Sequence, residues 1–172
     1  MSPVSRRPIV ALTGATGFIG QHLLEHLLTP PDLASDDGFA PRLRCLVRSP
    51  QRQQRPDNAD LHWVKGDLES TAALSELVRG ADIVIHNAGV VRGRTADDFL
   101  QINAEGTRRL AHVAQQAGVK RFILISSLAA REPQLSFYAA SKAAAETALQ
   151  GISGLPWQIV RPPAVYGPGD KE

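Results

Sequence analysis

A strand–turn–helix pattern built on three glycines near the start of the chain limits the fold more than any other feature. Residues 9–20 read I-V-A-L-T-G-A-T-G-F-I-G, a short apolar run that breaks at Gly14, Gly17 and Gly20 before a helix-like pattern begins. Glycines at this spacing permit a tight turn, close approach to a phosphate and close helix–strand packing. The helix that follows offers free N–H groups and a positive dipole end to an anion. The pattern predicts a pyrophosphate site, with contacts also expected from Thr16, Phe18 and Ile19.

Composition excludes several other classes of protein. The 172 residues correspond to about one domain, and 43% apolar with 21% charged residues is typical of a globular protein. A net charge of +2 does not favour a nucleic-acid partner. No stretch approaches the roughly twenty apolar residues of a membrane span, and the apolar run after Arg7 is too short for a secretory signal. We therefore expect a cytoplasmic protein in which Cys45 is a buried, reduced thiol.

Short apolar runs alternate with longer amphipathic segments. Strands are expected at Ile9–Leu12, Leu43–Val47, Leu61–Val64, Ile83–His86, Phe122–Ile125 and Trp157–Val160, and helices at Phe18–Leu28, Ala72–Arg79, Ala96–Ala117 and Tyr138–Gln150. This alternation predicts an α/β fold, a doubly wound Rossmann-type parallel sheet flanked by helices, with strand order 3-2-1-4-5-6. The ligand crevice should lie at the carboxyl ends of the strands, where Gly14, His86–Gly89 and Ser126–Ser127 fall.

The end of the second strand carries information on the cofactor. It reads Val47-Arg48-Ser49, without the carboxylate that would accept the ribose hydroxyls of NAD. Because an arginine fork suits a 2′-phosphate, we expect NADP to be preferred, with NAD as the other cofactor. The alternative is an exposed Arg48 whose side chain never meets the cofactor.

Asp67 follows the third strand in the sequence Gly66-Asp67-Leu68. Its carboxylate could accept a hydrogen bond from the adenine amino group. The alternative is that Asp67 caps the helix that begins near Thr71.

Tyr138 and Lys142 stand four positions apart and so share one face of a helix. A free tyrosine is a poor base at neutral pH. An ammonium about 5 Å away would stabilise a phenolate by roughly 3 kcal/mol. The pair is therefore suited to proton transfer beside a nicotinamide ring, with Ser127 donating to the same substrate oxygen.

Together these motifs resemble the short-chain dehydrogenase/reductase superfamily, and within it the extended branch of NAD(P)-dependent epimerases, dehydratases and 3β-hydroxysteroid-dehydrogenase-like reductases. The resemblance rests on T-G-A-T-G-F-I-G, G-D-L, H-N-A-G, S-S, Y-A-A-S-K and R-P-P-A-V-Y-G-P-G-D. It implies that Tyr138 is the acid/base, Lys142 its activator and ribose ligand, and Ser127 the substrate-oxygen donor. The positions that it implies around the cofactor are Asp67, Leu68, Asn87, Ala88, Gly89, Pro162 and Val165.

The serine pair leaves Ser126 as an alternative to Ser127, which we prefer from the register of R-F-I-L-I. Only ten residues separate Ser127 from Tyr138, so the substrate-side loop is expected to be short. Asn103 falls on the apolar face of the long helix. It could hold water for a proton relay, as in relatives, or it could be a satisfied core asparagine.

Three further expectations concern the whole chain. The turn residues that precede Lys171-Glu172 indicate a single cofactor domain, residues 1–172, truncated before a C-terminal substrate domain. Small residues at Ala139, Ala140 and Ala143–Ala145 favour a homodimer contact. His22-Leu-Leu-Glu25-His26 matches a zinc-protease pattern, but the leucines around it indicate surface histidines on a packed helix, so no metal is expected.

The sequence thus favours an NAD(P)-dependent oxidoreductase or sugar-nucleotide epimerase/dehydratase. Its substrate would be a sugar nucleotide or a hydroxy or keto compound. The alternative is a non-catalytic dinucleotide-binding regulatory or assembly subunit with the same fold. Intact Tyr138 and Lys142 favour the enzyme.

Overall fold

A computed structural model describes residues 6–29, 40–49 and 59–170. In it, six parallel strands form one sheet in the order β3-β2-β1-β4-β5-β6, which confirms the predicted doubly wound topology. The strands are β1 (Ile9–Thr13), β2 (Arg42–Val47), β3 (Leu61–Lys65), β4 (Ile83–His86), β5 (Arg121–Ile125) and β6 (Trp157–Val160).

The helices also agree closely with the sequence pattern. They are α1 (Phe18–Leu28), α2 (Thr71–Val78), α3 (Ala96–Phe99), α4 (Gly106–Gln116) and α5 (Phe137–Gln150). One of the expected helices differs in its hydrogen-bonding pattern and not only in its end points. The helix expected over 96–117 contains a π-helical segment, Leu100–Glu105, between α3 and α4. Such segments are rare and often mark functional sites. Two short 3₁₀ turns, Leu128–Arg131 and Pro133–Leu135, connect β5 to α5.

The chain reverses its direction of winding between β1 and β4, the two central strands. Strand β1 pairs with β2 on one side and β4 on the other, so that Thr13 lies opposite His86. In sheets of this kind ligands bind at the carboxyl ends of the strands, beside this reversal. Gly14 and the segment after His86 therefore meet where a ligand is expected.

Apolar side chains cover both faces of the sheet. One face packs against α1 through a cluster that includes Leu12, Leu24 and Trp63. The other packs against α2, α4 and α5 through a larger cluster that includes Phe122. Cys45 is fully buried in the first cluster, as expected, and burial raises the pKa of its thiol to about 12.

The alanine-rich face of α5 is only partly available for a partner. Ala139 and Ala145 are buried inside the chain itself, whereas Ala140, Ala143 and Ala144 are half-buried. The homodimer contact remains a prediction, and within this chain it could use only the second group. In the part of the chain that the structure describes, no helix is long and apolar enough to cross a membrane.

Candidate active site

The glycine turn after β1 is held by direct backbone contacts. Gly14 has a φ of 72°, and a β-carbon built on it would lie 2.7 Å from the amide nitrogen of Ala88. A β-carbon on Gly20 would lie 1.9 Å from the carbonyl oxygen of Gly14. No larger residue fits at either position without moving the backbone, so these two glycines are required by the fold.

Gly17 differs from its two neighbours in the motif. Its φ of −83° is open to any residue, and the nearest atom to a β-carbon built on it is 3.5 Å away. It is exposed at the N-terminus of α1, where no side chain caps the helix. The fold itself therefore does not require glycine at this position. The open space beside Gly17 and the uncapped amides at the start of α1 fit an anionic ligand. The residues at this turn therefore fit the pyrophosphate of a dinucleotide.

The expected cofactor residues around the turn have specific neighbours. The carbonyl of Thr16 accepts a hydrogen bond of 3.1 Å from the side chain of Gln21. The ring of Phe18 stacks edge-on against His22 at a centroid distance of 5.3 Å. It also lies beside Gly167 and Gly169, so the last described turn folds back over the start of α1. Ile19 is half-buried in the first turn of that helix.

The segment after β4 lies directly against this turn. The amide side chain of Asn87 donates to the carbonyl of Gly14 at 3.3 Å, and the Ala88 N–H donates to the hydroxyl of Thr13 at 3.1 Å. The predicted meeting of Gly14 with Asn87–Gly89 is thus present in the structure.

A fully buried polar chain runs beneath this segment through His86. Nδ1 of His86 lies 2.6 Å from the Thr13 hydroxyl, and Nε2 lies 3.0 Å from the Thr107 hydroxyl. The Thr107 proton is donated to the carbonyl of Asn103 at 2.6 Å, so Thr107 must accept from Nε2–H. Burial and the charge of Lys142 lower the pKa of His86 to about 3. The ring is therefore neutral and held as one tautomer.

Asn103 lies in the π-helical segment and is 2% exposed. Its Oδ1 accepts from the Val90 N–H at 2.8 Å, while Nδ2 donates to the Val90 carbonyl at 3.0 Å and to the Ser141 hydroxyl at 2.9 Å. Ser141 in turn donates to the carbonyl of Tyr138 at 2.8 Å. Protein groups thus satisfy both donors of the amide and its acceptor, which is the arrangement expected of a core asparagine.

Tyr138 and Lys142 occupy the first turns of α5. The helix begins at Phe137 because the Ser136 hydroxyl accepts from the Ala139 N–H at 3.0 Å. Nζ of Lys142 donates to the carbonyl of Ile125, at the end of β5, over 2.7 Å. Burial lowers the pKa of Lys142 to about 8, against the opposing effect of Glu146. The ring of Tyr138 lies edge-on to that of Phe99 at a centroid distance of 6.4 Å.

Lys142 also reaches the segment that contacts the glycine turn. A β-carbon built on Gly89 would lie 4.0 Å from Nζ of Lys142 and 3.0 Å from Oδ1 of Asn103. The glycine turn, residues 87–89 and Lys142 therefore border one continuous region of the molecule.

The two serines after β5 have different surroundings. Ser126 is 4% exposed, and its hydroxyl donates to Glu146. Ser127 is half-buried, and its hydroxyl oxygen accepts from the Ala129 N–H at 3.2 Å. The Ser126 proton is used inside the protein, whereas the Ser127 proton has no acceptor among the described residues.

The remaining expected cofactor residues lie at the carboxyl ends of other strands. Arg48 is exposed directly after β2. Oδ1 of Asp67 accepts from the amides of Glu69 and Ser70 at 2.9 and 3.1 Å, but the cap of α2 is Ser70 rather than Asp67.

Leu68 differs from these polar residues because it is buried against Gly106. Pro162 accepts a backbone hydrogen bond from Leu128, and Val165 is 45% exposed.

Sequence reasoning missed the buried charge at Glu146 and its partner Arg161. Arg161 donates through Nε to Oε1 at 2.9 Å and through Nη2 to Oε2 at 2.5 Å. An acid four positions after Lys142, on the buried face of an alanine-rich helix, was the available signal. Its partner lies 15 positions away and emerges only from the fold.

In the part of the chain that the structure describes, no group of three or more histidine, cysteine, aspartate or glutamate side chains is placed to hold a metal ion. The two histidines of the zinc-like pattern are exposed on α1. Nε2 of His22 lies 3.1 Å from the Pro168 carbonyl, and Nδ1 of His26 lies 2.9 Å from the His22 carbonyl.

Comparisons with known proteins agree with this geometry. A family model described as NAD(P)H-binding matches residues 14–171. The chain is 47% identical over 168 residues to a ceramide reductase of Caulobacter vibrioides (strain NA1000 / CB15N), covering 96% of this chain and 49% of that protein. It is 29% identical over 189 residues to a UDP-glucose 4-epimerase of Vibrio cholerae, covering 94% of this chain and 53% of that protein. The chain thus spans about half the length of these curated relatives.

A solved structure shows the same fold. The crystal structure of the Bordetella bronchiseptica enzyme WbmH in complex with NAD+ superposes with a TM-score of 0.80 at 22% identity, covering 97% of this chain and 59% of that one. With the matching family model and the strand order, this confirms the resemblance expected from the motifs. The chain belongs to the NAD(P)H-binding family, within the short-chain dehydrogenase/reductase superfamily.

Proposed function

We propose that this protein catalyses reversible, NAD(P)-dependent hydride transfer between the nicotinamide ring and a carbinol or carbonyl carbon of a small molecule. One observation carries the proposal: Lys142 lies beside Gly89, in the segment that packs on the glycine turn. A phosphate site and a proton-transfer pair that border one region can act on one bound cofactor.

Three side chains would carry the protein's part of the reaction, while a bound nicotinamide supplies the hydride acceptor or donor. Tyr138 would move the proton to or from the substrate oxygen, and Ser127 would donate a hydrogen bond to that oxygen. Lys142 would stabilise the phenolate form of Tyr138. With a pKa of about 8, most of the Lys142 population carries its charge at pH 7.

Asn103 would serve this site by position rather than by carrying protons. Its side chain ties Val90, after β4, to Ser141 in α5. It thereby holds the wall that contacts the cofactor against the helix that carries Tyr138.

NADP would be the preferred cofactor, and Arg48 supports this preference. It is exposed at the end of β2, where the ribose of a dinucleotide lies in folds of this kind. A guanidinium there can bind a 2′-phosphate through two parallel hydrogen bonds. Asp67 retains one carboxylate oxygen, Oδ2, for the adenine amino group, since only Oδ1 is used in its loop.

The surface between Ser127 and Tyr138 agrees best with an apolar substrate that is reduced at a carbonyl. Three large apolar side chains are exposed between Ser127 and Tyr138: Leu128 at 44%, Leu135 at 75% and Phe137 at 55%. The relative that is 47% identical is named a ceramide reductase, and a lipid substrate would cover such a surface. A sugar-nucleotide reaction is the second candidate, since the 29% identical relative is a UDP-glucose 4-epimerase.

The test is a pair of single-atom substitutions in the full-length protein. Tyr138→Phe removes the hydroxyl that would move the proton, and turnover should fall by about 10²- to 10⁴-fold with unchanged NADPH affinity. The chain has one other tyrosine, Tyr166, which is 87% exposed, so Tyr166→Phe is the matched control and should keep full turnover. Turnover that survives Tyr138→Phe would reject Tyr138 as the group that moves the proton. Wild-type protein that binds NADPH without any turnover would instead favour the non-catalytic binding subunit.

A further inference from the structure

Glu146 is a buried carboxylate that the proposed mechanism does not use. It is 4% exposed and stands one helical turn after Lys142 on α5. An unpaired charge at such a position is costly, so a buried acid is kept only with strong partners.

Both oxygens of this carboxylate are bound from two neighbouring strands. Ser126, after β5, donates its hydroxyl to Oε1 at 2.5 Å. Arg161, after β6, donates from Nε to Oε1 and from Nη2 to Oε2, the two-pronged geometry that arginine forms with carboxylates. Burial opposes ionisation, but the hydrogen bonds from Arg161 and Ser126 outweigh it and lower the pKa of Glu146. The carboxylate is therefore charged at neutral pH.

The partners of Glu146 are the chain neighbours of residues assigned to the site. Ser126 lies between Ser127 and Ile125, and the Ile125 carbonyl is the acceptor of the Lys142 ammonium at 2.7 Å. Arg161 precedes Pro162, and the amide of Ser126 donates to the carbonyl of Val160 at 2.8 Å. One carboxylate thus ties the ends of β5 and β6 to the helix that carries Tyr138 and Lys142.

We propose that Glu146 is a positioning residue for this site. Held by Ser126 and Arg161, it fixes the carbonyl that Lys142 contacts. It also places a buried negative charge one helical turn after Lys142. The inference rests on the proposed function for its effect on turnover, but its effect on Lys142 stands apart from turnover.

The charges around Lys142 determine the sign of the effect. His86, on β4, is neutral, and Tyr138 shares the helix with Lys142. Arg161 lies directly after β6 and forms an ion pair with Glu146. Burial lowers the pKa of Lys142 to about 8, and the charge of Glu146 opposes that decrease. Without this charge the pKa of Lys142 should fall further, and the ammonium should be lost at a lower pH.

The experiment follows the titration of Lys142 by NMR in protein that carries ¹³C-labelled lysine side chains. The chain has four lysines, so the spectrum contains few signals to assign. In wild type the Lys142 signal should titrate near pH 8. In Glu146→Gln, which keeps the shape but removes the charge, it should titrate roughly one pH unit lower. The alkaline limb of kcat/KM in the full-length protein should move down with it. Glu105→Gln, an acid paired on the surface with Arg108, is the control and should move neither.

An unshifted Lys142 titration in folded Glu146→Gln would overturn the inference. If that variant does not fold, Ser126→Ala is the second test, because it removes an uncharged donor and keeps the carboxylate. We expect Ser126→Ala to lower kcat several-fold while Lys142 still titrates near pH 8; unchanged kcat would overturn the positioning role. Failure of the proposed function would show differently, as wild-type turnover that does not depend on Tyr138.

Discussion

The ammonium of Lys142 lies beside Gly89, so close that a β-carbon built on Gly89 would approach Nζ to 4.0 Å. The residue before Gly89 packs on the glycine turn, since the Ala88 amide lies 2.7 Å from a β-carbon built on Gly14. Two motifs separated by more than a hundred residues therefore border the same region. This contact underlies the proposal of one shared site for the glycine turn and the Tyr138–Lys142 pair.

Gly17 should be required by the ligand rather than by the fold. Gly17→Ala should lower the free energy of unfolding by less than about 1 kcal/mol, the difference between glycine and alanine at a helix N-cap. The added methyl group would occupy the open space at the turn, so NADPH affinity should fall by about tenfold or more. The measurement is fluorescence titration of NADPH beside thermal unfolding.

Gly14→Ala is the contrasting variant for that test. Its φ of 72° and its contact with Ala88 predict a loss of about 1–3 kcal/mol in stability. Unchanged NADPH affinity in a folded Gly17→Ala variant would contradict a phosphate site at this turn.

Arg48 should select the cofactor. Removing a hydrogen-bonded charge costs about 1.5–3 kcal/mol, so Arg48→Ala should weaken NADPH binding by roughly 10- to 100-fold and leave NADH binding unchanged. Arg42 is exposed at the opposite end of the same strand, so Arg42→Ala is the control and should leave both affinities unchanged. Equal losses for both cofactors, or none for NADPH, would remove the argument for a 2′-phosphate.

Asn103 should contribute mainly to stability. Asn103→Ala leaves the Val90 amide and carbonyl without partners, and the free energy of unfolding should fall by about 1–3 kcal/mol. Gln101, exposed in the same π-helical segment, provides the control, and Gln101→Ala should change stability by less than about 0.5 kcal/mol. A folded Asn103→Ala variant with wild-type stability and lost turnover would instead favour a proton relay.

His86 should make the protein less stable in acid. Its pKa of about 3 in the folded chain is lower than the 6.5 expected when unfolded, so the unfolded state binds a proton that the folded state excludes. This contribution is complete above about pH 6.5 and is lost as pH falls towards 3, by up to about 1.4 kcal/mol per pH unit.

Urea unfolding between pH 7 and pH 5 measures this effect. Wild type and His112→Gln, which changes an exposed histidine of α4, should share the acid slope, and His86→Gln should have a shallower one. Identical slopes in all three proteins would mean that His86 is not kept neutral by burial.

The sequence was sufficient to predict the architecture because local patterns encode it. The alternation of apolar runs predicted the six strands and their order, and it placed Gly14, Asn87–Gly89 and Ser127 at strand ends. It was not sufficient for contacts that join distant positions. Nothing in the local pattern of α5 pairs Glu146 with Arg161, because that pair exists only once β6 lies beside β5. The π-helical segment around Asn103 was missed for a similar reason, since its spacing suits an ordinary helix and its contacts to Val90 are tertiary.

The most direct test of the account is an amide NMR titration of the ¹⁵N-labelled chain with NADPH and, separately, with 2′,5′-ADP, which lacks the nicotinamide. Both ligands should shift the amides of residues 14–20 and 48. NADPH alone should also shift the amides of residues 125–127 and 138–142, and both groups of amides should give the same dissociation constant for NADPH. Shifts confined to residues 14–20 with both ligands would contradict a single site shared by the glycine turn and the Tyr138–Lys142 pair.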